Sequence, residues 1–274
     1  MWWSTNLLLA MAMISVVYAG GWEYSVRQYL KGFSDAIVPT SVTPEQKTEA
    51  ILDWMRRGPM RTESSDLADL PSRDPEVTLN YRQLLAVCGT ATNAFLNLAR
   101  SADLSVRRLL LLTPERTTKH VVAEVLIDGQ WVIVDPAYRV LMRDLKGHLL
   151  TRNELGDPRI FAEATRLVPN YRPEYTYENF AHVRFARLPM EGLHLRKVLE
   201  TISPRWDAAL DWTLLLERES FFVLSAATVL LICFLMLRFL LGWYTDHHLK
   251  VPRFRLRDNL FRAGETLFSA PESK

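Results

Sequence analysis

The sequence predicts an α+β protein in which a helix opened by Cys88 packs on an antiparallel sheet, with an apolar helix near the C-terminus. Three observations carry this expectation. Behind Cys88 the apolar residues Ala91, Phe95, Leu98 and Ala99 recur at helical spacing. Two runs rich in β-branched residues, 121–127 and 131–134, flank Asp128-Gly129, a dipeptide suited to a two-residue hairpin turn. Residues 220–242 are almost wholly apolar and about as long as a bilayer-spanning helix requires.

Residues 1–20 are apolar with a centre at Leu7 to Ile14, and Val17-Tyr18-Ala19 precedes Gly20-Gly21. The size suits a signal peptide, whereas the lack of any Lys or Arg ahead of the apolar centre suits a retained membrane anchor equally well. Residues 21–42 read as an amphipathic connector, with Tyr24, Val26, Tyr29, Leu30, Phe33 and Ile37 partly in helical phase. A globular domain is expected over 43–190. Thr43-Pro44-Glu45-Gln46 supplies an N-cap, a proline in the first turn and a capping-box glutamine. Ala50, Ile51, Trp54 and Met55 give the helix one apolar face, and Gly58-Pro59 ends it. Residues 61–75 are polar and proline-bearing, hence a loop.

After the Cys88 helix, 107–112 is a short apolar run that predicts a buried strand, and the hairpin follows. Thr151-x-x-Glu154 marks a short capped helix. The aromatic run 171–185, with alternation at Tyr175 and Tyr177 and again at Val183 and Phe185, predicts one more strand closing the sheet. Residues 191–219 form a membrane-proximal helical segment with a start at Ser203-Pro204. Beyond the 220–242 span, residues 243–274 carry Lys250, Arg253, Arg255, Arg257 and Arg262, a basic tail that the positive-inside rule assigns to the cytoplasm. The domain then stands on the outer side of an inner membrane, in a periplasm or outside the cell.

The chemistry concentrates between Cys88 and Tyr138. A sulfur at a helix N-terminus meets exposed backbone N–H groups and the positive end of the helix dipole, which favour thiolate over thiol. His120 begins one strand of the hairpin and Asp135 ends its partner, so antiparallel pairing brings them within reach of a hydrogen bond. A carboxylate that holds one imidazole nitrogen leaves the other to take the Cys88 proton. Gln83 is a candidate oxyanion donor, though a surface glutamine is the plainer reading. His182 ranks below His120, because no carboxylate follows it at the end of a paired strand; a structural or surface role is its default.

This segment resembles the core of the transglutaminase-like superfamily, whose members share a papain-like Cys-His-Asp site. The matching residues are Cys88-Gly89, the passage from Leu98-Ala99-Arg100 to Val106-Arg107, His120 with Val122 and Glu124, and Trp131 with Asp135-Pro136. The resemblance covers roughly 43–138 and looks like that of a bacterial, membrane-anchored member. It implies a nucleophile helix packed on an antiparallel sheet, with Cys88 as nucleophile, His120 as base and acid, and Asp135 as orienter. The sequence departs from the family where Leu85-Ala86-Val87 precedes the cysteine and Asp103-Leu104-Ser105 precedes Val106-Arg107. Those changes bear on acceptor and substrate preference.

The implied activity is cleavage or transfer of peptide or protein amides through a Cys88 thioester. A catalytically inactive domain of the same fold, binding a peptide or scaffolding membrane proteins, is the alternative. The expected partners are a peptide or protein substrate, the lipid bilayer and unnamed membrane proteins. A net charge of +2 gives no reason to expect nucleic acid. No histidine spacing suits a metal, and no cofactor motif is present. The two cysteines, Cys88 and Cys233, fall in the domain and in the apolar span, so no disulfide is expected between them.

Overall fold

The computed structural model describes residues 2–57, 79, 87–115, 117–182, 201, 215 and 218–249. The chain divides into two compact units, residues 17–226 and residues 1–16 with 227–274.

The larger unit is built on a five-stranded antiparallel sheet of order β4-β3-β2-β1-β5. The strands are β1 (Val106–Leu112), β2 (Thr118–Ile127), β3 (Gln130–Asp135), β4 (Val140–Leu141) and β5 (Phe180–Ala181). Asp128 (φ 49°) and Gly129 (φ 80°) both take the left-handed conformation that the tightest hairpin turn needs. That turn sets Ile127 opposite Gln130 and carries the register to Ala123 opposite Val134.

Alternation along the strands then sorts side chains to two faces. Ala123, Val125, Val132 and Val134 pack with α1 (Trp2–Ile37), α2 (Pro44–Arg56) and α3 (Cys88–Ser101) through Val26, Leu30, Ile51, Leu52, Phe95 and Leu98. On the other face Leu109, Leu111, Val122 and Ile133 meet Leu150, Leu155, Phe161 and Tyr177, brought there by α4 (Arg152–Leu155), α5 (Pro158–Thr165) and the chain after them. The caps read from sequence are formed. Thr43 Oγ1 accepts from Gln46 N while Gln46 Oε1 accepts from Thr43 N, and Thr151 and Glu154 do the same at α4.

Two expectations change. The apolar segment 1–20 and the connector 21–42 are not separate elements: α1 runs through Gly20-Gly21 as one helix of 36 residues. Its inner half is held by tertiary packing, with Ala19, Val26 and Leu30 buried on one stripe, which outweighs the low helix propensity of two glycines. The strand expected over 171–185 is reduced to Phe180–Ala181, paired with Leu110 and Leu111. Tyr171, Tyr175 and Tyr177 lie before that strand and pack over the sheet; their alternation reflects aromatic packing, not a ladder. Val183 and Phe185 lie outside the described residues.

In the smaller unit, residues 3–16 of α1 and 227–247 of α6 (Glu219–His247) expose most of their apolar side chains, among them Leu7, Ile14, Met236 and Phe239. Asn6 Oδ1 accepts from Arg238 Nε at 3.1 Å. Both α1 and α6 are long and apolar enough to cross a membrane. The membrane-proximal segment and the basic tail from Lys250 onward fall almost wholly outside the described residues.

Candidate active site

Cys88 is the first residue of α3, whose first turn holds no acidic side chain to compete with an anion for the exposed N–H groups. One turn further on, the buried Thr92 donates its hydroxyl hydrogen to the Val121 carbonyl at 2.9 Å, tying the start of α3 to the strand residue next to His120. The β1–β2 register slips here. Leu111 pairs with His120 and Leu112 with Thr118, so Lys119 is passed over, an irregularity that re-aims the side chains beside it.

His120 and Asp135 are both fully enclosed, at 1% and 0% exposure. His120 Nε2 lies 2.7 Å from Asp135 Oδ2. Asp135 Oδ1 accepts from the backbone N–H groups of Ala137 at 3.1 Å and Tyr138 at 3.3 Å, so the turn after β3 fixes the carboxylate. The Tyr171 hydroxyl donates to Oδ2 at 3.1 Å. With Nε2 engaged, the buried Nδ1 is the ring nitrogen left without a hydrogen-bond partner, and the Cys88 side chain is among the groups that act on the imidazole. Burial alone would disfavour an imidazolium. Asp135, by charge and hydrogen bond, together with Cys88 outweighs that penalty and raises His120 from its ordinary 6.5 to about 9. Cys88, half-exposed, is the member of the set that solvent reaches.

Sequence reasoning missed the aromatic wall around this pair. The Tyr175 ring lies parallel to the His120 ring with centroids 4.0 Å apart, and Tyr138 approaches the imidazole edge-on at 6.0 Å. Tyr138 and Tyr171 pack at 4.5 Å. The density of tyrosines in 171–177 was the available signal. His182 is buried in a polar cluster: Nε2 lies 3.0 Å from Glu124 Oε2, and Glu124 accepts from Arg107 Nε as well. Arg107 in turn lies over the Trp131 ring. Burial works against the Glu124 carboxylate, but His182 and Arg107 hold its pKa below the ordinary value. Gln83 lies outside the described residues. Among the described residues no group of three or more His, Cys, Asp or Glu is arranged to hold a metal ion.

A helix with a cysteine at its N-terminus, packed on an antiparallel sheet that carries a buried His–Asp pair, belongs to the papain-like class of α+β folds. Residues 31–136 match the model of the transglutaminase-like superfamily, and this segment is a transglutaminase-like core. The match begins inside α1 and ends just past Asp135. No curated protein and no solved structure matches the chain.

Proposed function

We propose that this chain is a membrane-anchored thiol enzyme that cleaves or transfers peptide or protein amides. The observation that carries the reading is the enclosed His120, held by Asp135 at 2.7 Å through Nε2, with Nδ1 unengaged and Cys88 among the groups that act on the ring. Cys88 gives its proton to His120 Nδ1, and the thiolate attacks the amide carbonyl carbon. The tetrahedral oxyanion collapses as the C–N bond breaks and His120 protonates the departing amine, leaving an acyl thioester on Cys88. Water, or an amine, then loses a proton to His120 and attacks the thioester. The acyl group leaves as acid or new amide, and the thiolate is restored. Asp135 holds the imidazole in the tautomer with hydrogen on Nε2 and stabilises the cation formed on it. Hydrolysis is the favoured fate.

In this reading α1 and α6 anchor the chain in a cell membrane, the basic tail lies in the cytoplasm, and the thiol domain works on the opposite side. The test is the pH dependence of Cys88 alkylation by iodoacetamide in the full chain in detergent. Rapid labelling well below pH 8 that slows in His120→Ala supports the reading. An ordinary thiol titration near pH 8.5, unchanged in that variant, overturns it.

A further inference from the structure

The Tyr175 ring covers one face of the His120 imidazole at a centroid distance of 4.0 Å, with 1° between the planes. Neutral aromatic pairs prefer offset or edge-on arrangements with centroids about 4.5–7 Å apart, because their faces carry like partial charge, and this parallel contact is closer than that range. A ring that carries a positive charge reverses the preference, since a cation is drawn to the face of an aromatic ring. The other tyrosines here obey the neutral rule. Tyr138 and Tyr171 both meet Tyr175 near edge-on, at 6.5 Å and 67° and at 6.0 Å and 86°. The parallel contact is confined to the one ring that can be protonated.

Tyr175 is also held in place from both sides. Its backbone N–H donates to the Arg172 carbonyl at 3.2 Å. The next residue, Thr176, accepts from Lys119 Nζ at 2.8 Å, which pins the loop to the strand beside His120. Tyr177 is buried in the cluster beneath.

We propose that Tyr175 is a positioning residue for His120, fixing the plane of the imidazole and stabilising its protonated form through the face of the phenol ring. The inference rests on reading His120 as the base of the Cys88 site. A fixed ring plane keeps Nε2 on Asp135 and Nδ1 on Cys88 through the proton transfers, and the stabilised cation favours the thiolate–imidazolium pair. The titratable groups facing the ring are Asp135 from β3, Cys88 from α3 and the phenols of Tyr138 and Tyr175, with Tyr171 bonded to Asp135 behind them. Lys119 lies on the same strand and interacts with Glu174 and Glu178.

The experiment is an NMR titration of carbon-13-labelled histidine rings in the full chain in detergent, with the His120 signal assigned by its loss in His120→Gln. In parallel, Cys88 labelling by iodoacetate is followed across pH. Tyr175→Leu, which keeps bulk but removes the π face, is expected to lower the His120 titration by about one pH unit and to move the alkaline limb of labelling with it. Tyr175→Phe retains the face and is expected to titrate like the wild type. A Leu variant that titrates with the wild type near pH 9 overturns the role of Tyr175 and leaves the base intact. A Phe variant displaced as far as the Leu variant also overturns it, since the effect then belongs to the hydroxyl. A wild-type His120 that titrates at or below 6.5 overturns the reading of the base itself, a result distinct from the other two.

Discussion

Asp135→Asn is the sharpest test of how the buried pair works. The substitution keeps shape and keeps an oxygen for the Ala137 and Tyr138 N–H groups, which now hold Asp135 Oδ1. The amide nitrogen is thereby turned toward His120 Nε2 and the Tyr171 hydroxyl, where Oδ2 stood. A donor facing Nε2 forces the ring hydrogen onto Nδ1, the nitrogen that must receive the Cys88 proton. The charge is lost as well. The lift of His120 from 6.5 to about 9 corresponds to about 3 kcal/mol in favour of the imidazolium. Without Asp135 the burial penalty dominates, and the titration is expected to fall below 6.5. At pH 8 a group titrating near 9 is about 90% protonated, and one titrating at 6.5 only about 3%, so the imidazolium population falls about 30-fold or more. Histidine ring NMR on the full chain reads this directly, and the rate of Cys88 labelling by iodoacetate at pH 8 reads its consequence. A variant whose His120 still titrates near 9 would refute the assignment of the shift to Asp135. The same lift has a sign for stability: because the folded value is raised, the contribution is full below pH 6.5 and is lost as pH rises through about 9.

Two further outcomes are expected away from the thiol. Glu124→Gln strips the half-buried Arg107 and the buried His182 of their charge partner and is expected to cost about 3 kcal/mol in chemical denaturation. Since the Glu124 pKa is lowered on folding, its contribution is present above the unfolded value near 4.5 and is lost as pH falls through the folded value. The gap between the variant and the wild type therefore narrows in acid, and a gap independent of pH would contradict the ion-pair origin. Arg218→Met is expected to cost a similar amount, about 3 kcal/mol, because Arg218 bridges the buried Glu23 at 2.9 Å and Asn97 Oδ1 at 3.2 Å. A thermal midpoint equal to that of the wild type would show that Arg27 and Ser220, which also bond Glu23, suffice.

What was legible in the sequence depended on how local the determining interaction is. The hairpin could be read because two residues with positive φ, Asp128 and Gly129, set the register of everything between them and the His120 and Asp135 ends. Both helix caps could be read because each is complete within four residues. The tyrosines could not. Tyr175 meets His120 across 55 positions and Tyr171 meets Asp135 across 36, with no turn or period to announce either contact. Alternation of aromatic residues looks alike whether they line a strand or a packed loop, so a strand was the natural expectation. The Glu124–His182 contact spans 58 residues and depends on β5 joining the edge of β1, which short-range patterns do not encode. The continuity of α1 through Gly20-Gly21 was not legible either, because propensity is local, while the burial of Val26 and Leu30 that sustains the helix is not.

The position of Cys88 at the start of α3 gives the rest of that helix a role in the chemistry. A nucleophile on a helix end is only as well placed as the helix, and the site needs its groups held to within about half an ångström. Near the N-terminus of α3, Thr92 fixes it to β2 through the Val121 carbonyl. About a turn and a half further on, Asn97 accepts from Arg218, which also bonds Glu23 of α1. Around these ties α3 is enclosed by Phe95, Leu96 and Leu98, all at 0% exposure. Sliding the helix along its axis would break a polar contact at either end and unpack the core between them. Asp135 is fixed in the same manner, by two backbone N–H groups of its own turn. Only His120 stands on a strand whose pairing is interrupted beside it, and it is His120 that receives a side-chain partner on a nitrogen and on a ring face. The tyrosine contact thus falls on the group whose backbone constrains it least.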